Sequence, residues 1–226
     1  VNTNREVISD SFLKLSEITI ESIPAVIPFT TPVEITVDTS KAPEMATWAE
    51  ETARLCELWY SRIHDALASD GFKPPRQIQM IITPDYNGVA MASGAKITGA
   101  VKWFKAHPRD VGAMIHETVH VVQAYRRFRG NNAPSWLVEG IADHFRFFTF
   151  EPGNLGRIDP DPHYNKSYRT TAAFLAYVSD KYEKTLVKKL NAAIRNGEYR
   201  ETMFKDLTGK SLDELDKEWR KSLGKE

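Results

Sequence analysis

His116-Glu117-Thr118-Val119-His120, followed after eighteen residues by Glu139 within Trp136-Leu137-Val138-Glu139-Gly140, is the stretch on which the reading of this chain turns. On a helix four residues advance by about 400°, so the two imidazoles stack on one face within reach of a single cation, with Glu117 one residue round from His116. Two neutral ring nitrogens and a carboxylate oxygen suit tetrahedral zinc, with the fourth position open to water.

Composition alone would yield the pentapeptide in roughly one chain in a hundred of this length. Taken singly, each part has an ordinary explanation: His116 and His120 as surface histidines, Glu117 as a solvated charge, Glu139 as an acid near a helix N-terminus where the macrodipole favours it. The segments around the motif argue for more. Asp143 follows Glu139 by four residues, so on a helix over Trp136 to Phe147 one acid can bind metal while the other orients a ligand imidazole, most directly His116. Val111, Ala113, Met114, Ile115, Val119, Val121 and Val122 give the motif helix apolar flanks on most sides, the pattern of a buried helix. Asn131-Asn132-Ala133-Pro134-Ser135 then breaks the periodicity, with Pro134 and Ser135 placed to begin the next helix. The chemistry this predicts is hydrolysis, with His116, His120 and Glu139 as metal ligands and Glu117 as general base.

His-Glu-x-x-His, eighteen residues and Glu within Trp-Leu-x-Glu-Gly-x-Ala is similar to the glutamate-type zincins, the thermolysin-like metallopeptidases. Closer still, three runs resemble the basic secretory protein family of peptidases: His116 to Gln123 (His-Glu-Thr-Val-His-Val-Val-Gln), Pro134 to Asp143 (Pro-Ser-Trp-Leu-Val-Glu-Gly-Ile-Ala-Asp) and Tyr168 to Leu175 (Tyr-Arg-Thr-Thr-Ala-Ala-Phe-Leu). The likeness covers roughly residues 33–185 and is strongest over 112–177. It implies an α+β, zincin-like fold with a mixed sheet, a motif helix and a mainly helical C-terminal lobe. It implies Zn2+ as cofactor, a peptide or protein substrate, and a secreted, periplasmic or cell-surface location. Enzymes of this group add a Tyr or His donor for the developing oxyanion; Tyr168, Tyr164 and His163 are the candidates here, and Tyr168 is preferred because it precedes the Thr-Ala-x-Phe-Leu helix. A metzincin is disfavoured, since Arg126 stands where its third histidine belongs and position 123 is not glycine.

With 226 residues, 42% hydrophobic and 27% charged, the chain can bury a sizeable core. Lys plus Arg balance Asp plus Glu at 30 each, so no overall field favours nucleic acid or an anionic membrane. This balance departs from the "basic" of the family name. No segment is apolar for long enough to span a membrane. The first residue is Val1 with no charged-then-apolar leader after it, which is compatible with a removed signal. Cys56 is the one cysteine, so no intramolecular disulfide forms, and between Leu55 and Leu58 it reads as core filler.

Along the chain, residues 1–31 read as an extended N-terminal arm and 32–226 as a single catalytic domain, with an α/β lobe over 32–130 and a helical lobe carrying the third ligand over 131–226. Val33 to Val37 alternates as a half-buried strand, and a helix follows from about Pro43 to Ala68 with Trp48, Thr52, Leu55, Trp59, Ile63 and Leu67 as its core stripe. Gln77 to Ile82, Met91 to Ala95 and Ile97 to Phe104 read as further strands. The last is assigned the exposed edge that would hold an extended peptide, because it precedes the motif helix and contains Gly99. From Ser167 the chain is helix-rich, with Ser211 to Glu214 as a capping box. His64 and His107 read as surface residues, and His144 as pointing away from the site. Outside enzymes, the alternative is a secreted binding or defence protein with a structural or relic zinc site, against which the intact Glu117 speaks.

Overall fold

The computed structural model describes residues 33–125 and 133–225; the arm assigned to residues 1–31 and the lobe boundary near Asn131 lie outside them. The architecture is mixed α+β, as the sequence predicts, with four strands and eight α-helices among the described residues. By internal contact the chain divides into two compact units.

The first unit holds described residues up to Arg62 together with Pro74–Val121. Strand β1 (Glu34–Asp38) leads through a 3-10 turn at Pro43–Met45 into helix α1 (Ala46–Ala66), where Pro43 at the first helical position fits its missing N–H. Strands β2 (Gln77–Thr83), β3 (Ala90–Ser93) and β4 (Lys96–Ala100) follow, then α2 (Val101–Ala106) and the motif helix α3 (Gly112–Gln123). The sheet order is β1-β2-β4-β3, parallel except for the β3–β4 pair. Glu34 pairs with Gln77, Gln79 with Lys96 and Ala90 with Gly99, which sets the registers. Ile78, Met80 and Ile82 of β2 are buried while Gln77 and Gln79 are exposed, so one face of the sheet is core. On α1 the buried stripe runs through Trp48, Thr52, Cys56, Trp59 and Ile63, with Leu55 at its margin and buried Leu67 just past the helix end. Burial pushes the Cys56 thiol up to about 12, which suits the filler role and no nucleophilic one.

The strand predicted over Ile97 to Phe104 is corrected. It ends at Ala100, and Val101 to Ala106 is helix α2. The alternation that suggests a strand also places Val101 and Phe104 one helical turn apart, and both are buried. Phe104 packs on Trp48 with ring centroids 4.5 Å apart, and Trp48 Nε1 donates to the Pro108 carbonyl at 2.9 Å, so the core selects the helix. The strand is also interior, between β2 and β3, so it is not the edge. A Cβ on Gly99 would come within 2.9 Å of Ile82 Cδ1 and 3.0 Å of Phe104 Cε2, so this glycine admits core side chains and no ligand.

The second unit comprises Ile63–Lys73 and the described residues from Val122 onward. Helix α4 (Ser135–Phe145) continues into a π-helical turn (Arg146–Phe150) and is followed by α5 (Tyr168–Lys181), α6 (Leu186–Asn196), α7 (Met203–Thr208) and α8 (Leu212–Ser222). Pro134 is the N-cap of α4 and Ser135 its first helical residue. Ser167 caps α5 by accepting from Thr170 N, and Ser211 with Glu214 forms the predicted capping box on α8. Phe174 is the hub of an aromatic core, against Tyr164, Phe204 and Trp219 at 5.7, 6.2 and 5.6 Å between centroids. Helices α4 and α5 meet at Gly140, where an added Cβ would fall 2.1 Å from Thr171 Cγ2.

Candidate metal centre

Helix α3 is covered along most of its length. Met114, Ile115, Thr118, Val119, Val121 and Val122 are all buried, as the apolar flanks predict, and Thr118 settles its hydroxyl by donating to the Met114 carbonyl at 2.8 Å. His116 and His120 lie one turn apart on this rigid support. Their Nε2 atoms approach to 3.0 Å with the rings at 80° to each other. Without a cation one nitrogen can donate to the other. His120 stands in the last turn of α3, where the negative end of the helix dipole favours positive charge.

Helix α4 supplies the third group. One ligand atom each from His116, His120 and Glu139 lies within 4.8 Å of the others, and a His-His-Glu cluster of this kind can hold a metal ion. The donor set fits a tetrahedral centre: bonds of about 2.0–2.1 Å at tetrahedral angles put neighbouring donors about 3.3 Å apart, close to the observed imidazole separation. Among the described residues this is the one cluster of three or more His, Cys, Asp or Glu side chains so arranged.

A family model described as peptidase of plants and bacteria (BSP) matches residues 40–219, most of the chain. The chain belongs to this family. The resemblance carried by the three sequence runs is therefore borne out, and the metal cluster lies inside the matched region. No curated protein and no solved structure matches the chain.

Glu117 is buried at 9% exposure beside His116, and Asp143 is buried at 5% one turn beyond Glu139. Tyr168 is the first residue of α5 and is 53% exposed, so it is no core tyrosine. Tyr164 instead joins the aromatic core, 4.9 Å from the Trp136 ring, and burial pushes its phenol up. His163 places Nδ1 2.9 Å from Asp216 Oδ2, while the Tyr164 backbone N–H donates to Asp216 Oδ1 at 2.7 Å. His107 is exposed, whereas His64 is partly covered. His144 stacks on Phe148 with centroids 5.5 Å apart, and burial pushes its pKa down to about 4.

Two residues escaped the sequence reading. Asp216 is buried on the apolar face of α8 beside Leu212, Leu215 and Trp219, and an acid on such a face is a legible signal. Gln123 closes the first resemblance run and ends α3; its side chain reaches α4, where Nε2 donates to the Val138 carbonyl at 2.9 Å.

Proposed function

We propose that the protein is a zinc metallopeptidase in which His116, His120 and Glu139 hold the ion and Glu117 is the general base. The convergence of those three ligand atoms within 4.8 Å, in a chain whose family is described as peptidase, carries this reading. When bound, Zn2+ would supply Lewis-acid polarisation and make water at the site acidic near neutral pH. Glu117 takes the proton of the attacking water and returns it to the leaving amine. Asp143, buried one turn beyond Glu139, would accept from the second ring nitrogen of His116 and hold its tautomer. Tyr168, exposed at the start of α5, donates to the carbonyl oxygen as it gains charge. His163 is the second candidate for that donor, because the Asp216 carboxylate already orients its ring.

An exposed sheet edge can hold an extended peptide through main-chain hydrogen bonds. Strand β1 turns the Ile35 N–H to Glu57 Oε1 at 2.7 Å, which occupies part of its outer edge. Strand β3 pairs with β4 alone among the described residues and carries the exposed Met91, so β3 replaces the Ile97 to Phe104 run as the edge assigned to substrate.

The test is an assay of the zinc-loaded protein on denatured protein and a mixed peptide library. Cleavage that a chelator stops and added Zn2+ restores is the expected result. Zinc-loaded protein that cleaves neither substrate defeats the peptidase reading and leaves the binding-protein alternative.

A further inference from the structure

Gln123 belongs to the motif run, yet the chemistry above gives it no task. It is the last residue of α3, three after His120, and only 1% exposed. A buried amide is costly unless its hydrogens are paired, and an apolar residue of the same size would fill the space without that demand. One amide hydrogen goes to the Val138 carbonyl at 2.9 Å, and Val138 immediately precedes Glu139. Two residues on, the Tyr125 hydroxyl donates to Asn191 Oδ1 at 2.8 Å.

The main chain at Gln123 is itself held from α6. Arg195 donates to the Val122 carbonyl at 3.0 Å and to the Gln123 carbonyl at 3.2 Å, its guanidinium carbon 3.6 Å from the Phe72 ring centroid. These bonds satisfy carbonyls that the end of a helix leaves without an intrahelical donor. At Ala124 the backbone turns to φ 46°, the one positive φ at a non-glycine among the described residues, so α3 stops there. The side chain of Gln123 therefore extends from a fixed point to the main chain beside the third ligand.

We propose that Gln123 is a positioning residue for Glu139, strapping the end of α3 to the carbonyl beside the carboxylate. The inference rests on the metal reading above. A helix carbonyl that already accepts from the residue four positions on gains a second donor here, and α4 can rotate or slide only by losing it. Glu139 rides on α4, so such a movement would displace its carboxylate.

The experiment uses Co2+ alone as probe on the whole protein, with affinity from chelator competition and coordination from visible absorption. Gln123→Met keeps the length and volume and removes the donor. It should weaken Co2+ binding about 10- to 100-fold, the usual effect of losing a residue that supports a ligand, and reduce the tetrahedral absorption band. In a Glu139→Ala background the same change should leave the residual two-histidine affinity within about 2-fold, because the residue acts through Glu139. If Q123M is not folded by circular dichroism, Gln123→Asn, which withdraws the amide by one methylene, should show the same pattern. An unchanged affinity and spectrum in the single variant, or an equal loss in the Glu139→Ala background, overturns the assignment while leaving the metal centre intact. Wild-type protein that takes up no Co2+ overturns the metal reading and this inference with it.

Discussion

At the scale of single residues, the proposed function gives Glu117 and Glu139, the same side chain, separable duties, and substitution tells them apart. Glu117→Gln keeps the size and removes the base, so peptide hydrolysis should fall by about 100-fold or more, with metal content unchanged by elemental analysis. An active Gln variant would remove Glu117 from the chemistry. Glu139→Ala takes away one of the three proposed donors, so zinc loaded onto the protein should be lost on gel filtration against a weak chelator; retention at full occupancy would mean another ligand set. His116, His120 and Glu139 were legible in the sequence because the i, i+4 step and the ligand chemistry are local properties. Asp216 and Gln123 were not, since their significance lies in His163 and Val138, 53 and 15 positions away.

At the scale of elements, the placement of Glu139 depends on how closely α4 and α5 approach. Gly140 lets them meet: its missing Cβ would stand 2.1 Å from Thr171 Cγ2 and 2.7 Å from Thr171 Cβ. Thr171 cannot yield easily, because it is fully buried and its hydroxyl donates to the Tyr164 carbonyl at 2.6 Å. Gly140→Ala should gain a few tenths to 1 kcal/mol from helix propensity yet lose about 1–3 kcal/mol to overpacking, a net destabilisation seen as a lower urea midpoint. A midpoint at or above wild type would show that α5 shifts freely. The elements themselves were mostly predicted: the strands at Glu34–Asp38 and Gln77–Thr83, the motif helix and the Ser211 capping box stand where periodicity and capping residues put them. The failure at Val101 to Ala106 has a physical source. A short apolar run fits either period, and the contact with Trp48 decides between them.

At the scale of the whole molecule, His144 ties stability to pH. Burial pushes its pKa down to about 4 in the fold, while the unfolded chain takes up the proton near the ordinary 6.5. Between those values the unfolded state binds more protons, so this contribution is fully present above about pH 6.5 and is lost as pH falls towards 4. His144→Phe, which keeps a ring against Phe148, should lose less stability than wild type between about pH 6.5 and 4.5 in urea titrations. Parallel profiles for the two proteins would show that the charged imidazole is accommodated. From the sequence alone came the α+β class, the buried motif helix, the His-His-Glu cluster and the family, because hydrophobic period, capping chemistry and side-chain donors are carried by neighbouring residues. Tertiary structure alone decided which strand is an edge, that Gly99 and Gly140 serve core packing, and that Gln123 and Asp216 reach distant partners. Those outcomes depend on which surfaces meet in space, and a linear pattern of apolar and polar residues is compatible with several such meetings.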